Sequence, residues 1–215
     1  ARLLAETLQA HRREAMEPAR NRGAAEREPG AMPPGFEGRL RSLLLVAPRH
    51  RGTEGSVRRA LEGAGFEVHT RDEASRNGAT LRAWIDSVAS RSGPRAALLA
   101  TRGELPDAYG HAWGAVVGGT FAPYGGHNVW EPAARACPVL VGPHHGNVEA
   151  AVEALRAEGA GVPVQDEAHL VRAVQGWLAD RDLEIRGRSA VRAAAAAAGA
   201  VERGMEALDD WGLVP

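Results

Sequence analysis

The chain has 215 residues and a mass of 22.7 kDa, with 44% hydrophobic and 25% charged residues, ordinary values for one globular domain or one domain with a tail. Its 26 basic and 27 acidic residues leave a net charge of -1, so no general attraction draws it to nucleic acid or to an anionic membrane. Every basic residue is Arg, which excludes lysine Schiff-base, PLP and P-loop chemistry, and the single cysteine, Cys137, excludes an internal disulfide and a Cys-based zinc cluster. No apolar run approaches the roughly 20 residues that span a bilayer. The opening Ala1-Arg2-Leu3, without Met or a signal-peptide pattern, reads as a fragment or as a gene model cut at its start.

Leu3, Leu4, Leu8 and His11 predict a helix over residues 3–16. Pro18, Gly23, Pro29, Gly30, Pro33, Pro34 and Gly35 then break all periodicity, so residues 17–40 are expected to be a linker or insertion. The expected division is residues 1–40, a helix and linker, and residues 41–215, a single domain. The run over 43–47 predicts a strand buried on both faces, as in a parallel sheet, stopped by Pro48. Residues 56–64 predict a helix closed by Gly65, 66–70 a strand, 71–78 a polar loop and 81–89 a helix. Strands follow over 96–101, 115–118, 138–141 and 162–165. Between and after them come a helical turn over 105–111 and helices over 129–135, 147–158 and 167–179. Residues 183–209 read as one long Ala-rich helix or a pair. This rhythm is that of an α/β domain, a Rossmann-like parallel sheet with helices on both faces.

Ligands of such sheets bind outside the C-terminal strand ends. Those ends carry Pro48, Arg49 and His50; then Gly103, Glu104 and Leu105; then Gly118, Gly119 and Thr120, followed by Gly125 to Pro132; then Gly142 to Asn147. Residues 125–132 are the most specific. The two glycines let backbone approach a ligand, Asn128 stands where a helix should start, and Glu131 shares its face. Free N–H groups there suit a phosphate, and the carboxylate suits a ribose diol; Asn-x-x-Glu is equally a capping box with no ligand. Arg49 is either a forked phosphate donor or a solvated surface Arg. Glu104 is either a nucleotide contact or a helix-start charge. His144 and His145 are adjacent and lack a carboxylate cluster, so no metal is expected there, and Cys137 reads as a small buried hydrophobe.

Five blocks occur in order: Ala-Pro-Arg-His at 47–50, Gly-Glu-Leu at 103–105, Val-Gly-Gly-Thr at 117–120, Gly-Gly-His-Asn-Val-Trp-Glu-Pro at 125–132 and Pro-Val-Leu-Val-Gly-Pro-His at 138–144. Together they resemble the C-terminal domain of 3-deoxy-D-manno-octulosonic acid (Kdo) transferases, over about residues 42–205. The resemblance implies the C-terminal half of a glycosyltransferase-B fold that holds CMP-Kdo, the donor for transfer to a lipid A precursor in lipopolysaccharide core assembly. It implies that Pro48 and Arg49 line the phosphate and nucleotide site, and that Gly103, Glu104 and Leu105 contact the nucleotide. Asn128, Val129, Trp130 and Glu131 would hold ribose and phosphate, with Arg49 and the helix dipole stabilising the departing phosphate. No metal or other cofactor is implied.

The family's general base is a Glu of the N-terminal domain, so no catalytic residue is expected in this chain, which alone is expected to be inactive. The acceptor and the membrane, at the cytoplasmic face of the inner membrane, would be met only through the full-length protein; the fragment itself looks soluble. The family's Asp-Thr-Met reads Ala100-Thr101-Arg102 here, its Pro-Glu-Arg-Phe reads Arg51-Gly52-Thr53-Glu54, and its Gly-Lys reads Ala136-Cys137. Two other readings stay open: a glycosyltransferase-B enzyme using a UDP-sugar, and a non-catalytic nucleotide-binding module.

Overall fold

The computed structural model describes residues 43–50, 52–180 and 182–210, so the expected helix over 3–16 and linker over 17–40 lie outside it. Two compact units divide the chain, Ala1–Leu105 with Val174–Arg181, and Pro106–Ala173 with Asp182–Pro215.

The first unit holds β1 (Leu44–Val46), α1 (Glu54–Gly63), β2 (Glu67–Arg71), α2 (Leu81–Ala89) and β3 (Arg95–Leu99). The strands pair in parallel in the order β1-β3-β2, with Val46 opposite Leu98 and Arg71 opposite Leu99. The central strand β3 is buried along its whole length. Residues of β1 are only half-buried, against the expectation of a strand buried on both faces. It has one strand neighbour among the described residues, and an edge position covers less of it.

Leu61 of α1 is fully buried and packs with Phe66 and Ala96, and Leu44, Val46 and Val68 surround that cluster. Gly65, at φ +83°, lets the chain leave α1 and turn directly into β2. Thr80 caps α2 by accepting the Ala83 N–H at 3.2 Å. The buried Arg95 guanidinium donates to the Ala89 carbonyl at the other end of α2 and to the Gly93 carbonyl after it.

The second unit holds most of α3 (Leu105–Tyr109), then β4 (Ala115–Val117), α4 (Trp130–Ala133), β5 (Val139–Val141), α5 (Glu149–Ala157), β6 (Gly161–Pro163) and α7 (Leu183–Asp210). Between β6 and α7 runs α6 (Glu167–Ala179), divided between the two units at Val174. β4, β5 and β6 are parallel and pair in that order. Val117, Val129, Val139, Val141, Val152 and Leu155 form the core, closed by Ala190 and Ala193 of α7. The Ala-rich segment is one helix of 28 residues, packed against α4 and α5. The α/β class with parallel strands is therefore as the alternation of elements implied.

The helix expected over 129–135 contracts to the four residues of α4. It ends in a left-handed turn: Ala136 has φ +57°, its N–H bonds the Ala133 carbonyl at 3.1 Å, and the Cys137 N–H bonds the Pro132 carbonyl at 3.0 Å. Glycine ordinarily takes this position, because a Cβ costs about 1 kcal/mol there. Gly187 of α7 lies against the same turn; a Cβ built on it would stand 2.5 Å from the Ala136 carbonyl oxygen. Ala136→Gly is expected to raise stability by roughly 0.5–1 kcal/mol, and Gly187→Ala to lower it by about 1–3 kcal/mol, both read from chemical denaturation midpoints.

Candidate functional site

Because the strands of each sheet are parallel, the loops that follow them leave from one end. In the second unit these are the loops after β4 and β5, and they are stitched together at Thr120. Its buried hydroxyl donates to the Val117 carbonyl and accepts the Gly142 N–H at 2.6 Å, while its own carbonyl accepts the His144 N–H at 2.9 Å. The Asn147 N–H reaches the Gly125 carbonyl at 2.9 Å, and the His145 imidazole Nδ1 lies 2.6 Å from the Gly142 carbonyl. Gly119 carries the His127 ring so closely that a Cβ would fall 1.6 Å from it. Gly125 and Gly126, at φ +80° and +102°, are covered by the side chains of Asn147 and Val148. The close approach they allow is thus between two loops of the protein rather than to a ligand.

Val129 is fully buried in this core and anchors its neighbours. Asn128 and Glu131 are exposed beside it, and Trp130 is half-buried. The Asn128 carbonyl Oδ1 accepts the Trp130 N–H at 3.0 Å, and its amide Nδ2 donates to Glu131 Oε1 at 3.2 Å. Asn128 therefore takes one of the N–H groups expected to be open to phosphate and orients the Glu131 carboxylate toward solvent. The bond between the two side chains replaces the return bond to backbone that a capping box would make. With four residues, α4 also has little macrodipole to offer, which corrects the expected help from the helix dipole. Burial and the nearby Glu131 and Cys137 push the Tyr109 phenol up to about 12. Burial also pushes the Cys137 thiol up to about 12, so it stays protonated and behaves as the small hydrophobe expected.

In the first unit, β1 and β3 are neighbours, so Pro48 and Arg49 leave the same end of the sheet as Gly103, Glu104 and Leu105. Pro48 and Leu105 are half-buried; Arg49 and Gly103 are exposed. Glu104 is different, with 8% of its surface exposed and both carboxylate oxygens engaged. Arg71, the last residue of β2, donates from Nε to Oε2 at 2.9 Å and from Nη2 to Oε1 at 2.8 Å. Thr101 also donates its hydroxyl to Oε2. Hydrogen bonds from Arg71 hold the Glu104 carboxyl down at about 2, against burial, with Thr101 and the charges of Arg71 and Arg76 assisting.

The sequence reading missed Arg71. Its signal was faint: it opens the segment expected as a polar loop, whereas it ends β2 and is buried, with its partner 33 positions away. Thr120 was placed at a strand end by the sequence, but its role in joining two loops was not legible, because its partners Gly142 and His144 are brought near only by folding. The site residues read from the sequence thus form two groups, Pro48, Arg49, Gly103, Glu104 and Leu105 in the first unit, and Asn128, Val129, Trp130 and Glu131 in the second. Among the described residues, no three His, Cys, Asp or Glu side chains come together as a metal-binding set, and no helix is long and apolar enough to cross a membrane.

No family model matches the chain. A 3-deoxy-D-manno-octulosonic acid transferase of Bordetella pertussis is 33% identical over 178 residues, 80% of this chain and 37% of that protein. The transferase of Aquifex aeolicus is 47% identical over 57 residues, 26% of this chain and 16% of that protein. Among solved structures, the C-terminal CMP-Kdo binding domain of WaaA from Acinetobacter baumannii matches with a TM-score of 0.57 and 26% identity, covering 70% of this chain and 72% of that one. The chain is related to the Kdo transferases, and its fold is that of their C-terminal domain. It spans little more than a third of the length of the Bordetella transferase.

The depressed Glu104 carboxyl makes stability depend on pH. Its folded value of about 2 lies below the ordinary 4.5, so its contribution is complete above the unfolded value and is lost as pH falls from about 5 toward 2. At pH 7, Glu104→Gln is expected to cost on the order of 3 kcal/mol, because it breaks one side of a buried pair. In denaturation curves taken across that window, the gap between the two proteins should close as the pH falls.

Proposed function

We propose that this chain is the donor-binding part of a glycosyltransferase that moves Kdo from CMP-Kdo to a lipid A precursor. The observation that carries this reading is the likeness to a CMP-Kdo binding domain over 70% of the chain, at 26% identity. The transferase from Bordetella pertussis supports it across 80% of the chain. In the first unit, the exposed Arg49 would fork onto phosphate beside Pro48, while the main chain of Gly103, Glu104 and Leu105 would meet the nucleotide. In the second, Glu131, aimed into solvent by Asn128, would accept hydrogen bonds from the ribose diol, with Val129 and Trp130 holding the segment in place.

The reaction implied is displacement of CMP at the anomeric carbon, with Arg49 stabilising the charge left on the phosphate and no metal assigned a part. No residue of this chain is assigned the role of general base. The lipid acceptor and work at the inner membrane belong to the same proposal and concern the whole enzyme.

Calorimetric titration of the chain with CMP is expected to give saturable binding that UMP and AMP do not match. Arg49→Ala and Glu131→Ala should each weaken it at least tenfold without moving the melting temperature, since both side chains are exposed. A folded chain that binds none of the nucleotides would overturn the reading, and a preference for UMP would redirect it to a UDP-sugar.

A further inference from the structure

We propose that Arg71 is a positioning residue for donor binding, acting through Glu104 to hold the segment containing Gly103, Glu104 and Leu105 in its binding geometry. The proposal rests on the donor-binding reading above and adds to it a residue that makes no contact with the nucleotide.

Arg71 is 1% exposed and lies at the C-terminal end of β2. Its Nε and Nη2 meet the two Glu104 oxygens at 2.9 and 2.8 Å, a forked pair that fixes both the position and the plane of the carboxylate. The guanidinium is itself fixed. Nη2 also donates to the Ala79 carbonyl at 2.9 Å, and the Trp84 ring of α2 lies 5.8 Å from its central carbon. The Ala100 N–H bonds the Arg71 carbonyl at 2.8 Å, so main chain and side chain of one residue grip both ends of the turn after β3. Between those grips the chain passes through Gly103 at φ +79°, in a turn also held by the Thr101 hydroxyl, by Arg76, whose Nε stands 3.7 Å from Glu104 and whose Nη1 donates to the Arg102 carbonyl at 3.4 Å, and by Glu73, whose Oε1 accepts the Arg102 N–H at 3.2 Å.

Two buried charges stabilise a fold little better than apolar residues of equal volume. What the pair supplies is direction: a single arrangement for Glu104 and hence for the main chain on either side of it. Nη1 of Arg71 is buried without a hydrogen-bond partner, a cost that packing alone would not require.

The test is a double-mutant cycle in the whole chain, with CMP affinity by calorimetry and melting temperature read on each protein: Arg71→Lys, Glu104→Gln, and both together. Arg71→Lys keeps the charge and loses the fork. Each single variant should weaken CMP binding at least tenfold, and the double should be no weaker than the worse single, because both remove one linkage. A second double variant, Arg71→Met with Glu104→Leu, removes both charges, and it should melt near the wild type yet bind at least tenfold more weakly. A pH series separates positioning from mere support. The affinity ratio of wild type to Arg71→Lys should widen from pH 7 to pH 4, because Glu104 stays ionised in the wild type while the weakened pair lets it take a proton; the titration of CMP itself cancels in the ratio. A folded Arg71→Lys with wild-type affinity, or effects that simply add, would overturn the proposal while leaving the donor-binding reading intact. A wild-type chain that binds no CMP would overturn both.

Discussion

Parallel pairing is the constraint from which the rest of this structure follows. A parallel pair cannot be closed by a tight turn, so each connection between successive strands of one sheet must cross back over it, and here α1, α2, α4 and α5 lie in those crossings. Every strand of one sheet then ends on the same side, and the loops that follow them collect there. The strands are short, with three residues in β1, β4, β5 and β6. So few ladder bonds cannot by themselves hold long loops still, and the loops have to be tied to one another.

The two units solve that problem by different physical means. In the second, neutral hydrogen bonds and close packing suffice: the Thr120 hydroxyl and carbonyl join the loops after β4 and β5, and the His127 ring sits on a glycine that leaves it room. In the first, a buried ion pair does the same work for the loop after β3, with Arg71 gripping Glu104 through two bonds. Neutral stitches cost little and tolerate small shifts. A buried charge pair is unforgiving, because either partner left alone carries the full cost of a charge without water.

Two carboxylates that look alike in the sequence therefore take different parts. Glu131 is exposed, with one oxygen accepting from Asn128. Glu104 is 8% exposed, and both its oxygens serve the protein. Environment rather than residue type separates the group available to a ligand from the group that holds the frame. This division is the basis for assigning direct contact to Glu131 and main-chain placement to the segment around Glu104.

Much of the fold was legible because it is locally encoded. The bounds of α2 and α6 agree with the elements expected over 81–89 and 167–179, where apolar periodicity meets a capping side chain, Thr80 for one and Asp166 for the other. The alternation of strand and helix, the strand ends rich in Gly and polar residues, and the ordered motifs of a Kdo transferase C-terminal domain are likewise properties of the chain read in a line. What only the tertiary structure decided are the relations between distant residues. The partner of Arg71 stands 33 positions away and is reached through the register of β2 on β3. The half-burial of β1 goes with its single strand neighbour among the described residues, and the brevity of α4 with the left-handed turn at Ala136 against Gly187. Propensity and periodicity act over a few residues and can be read there, whereas register, packing and ion pairing become defined only when segments far apart in sequence meet.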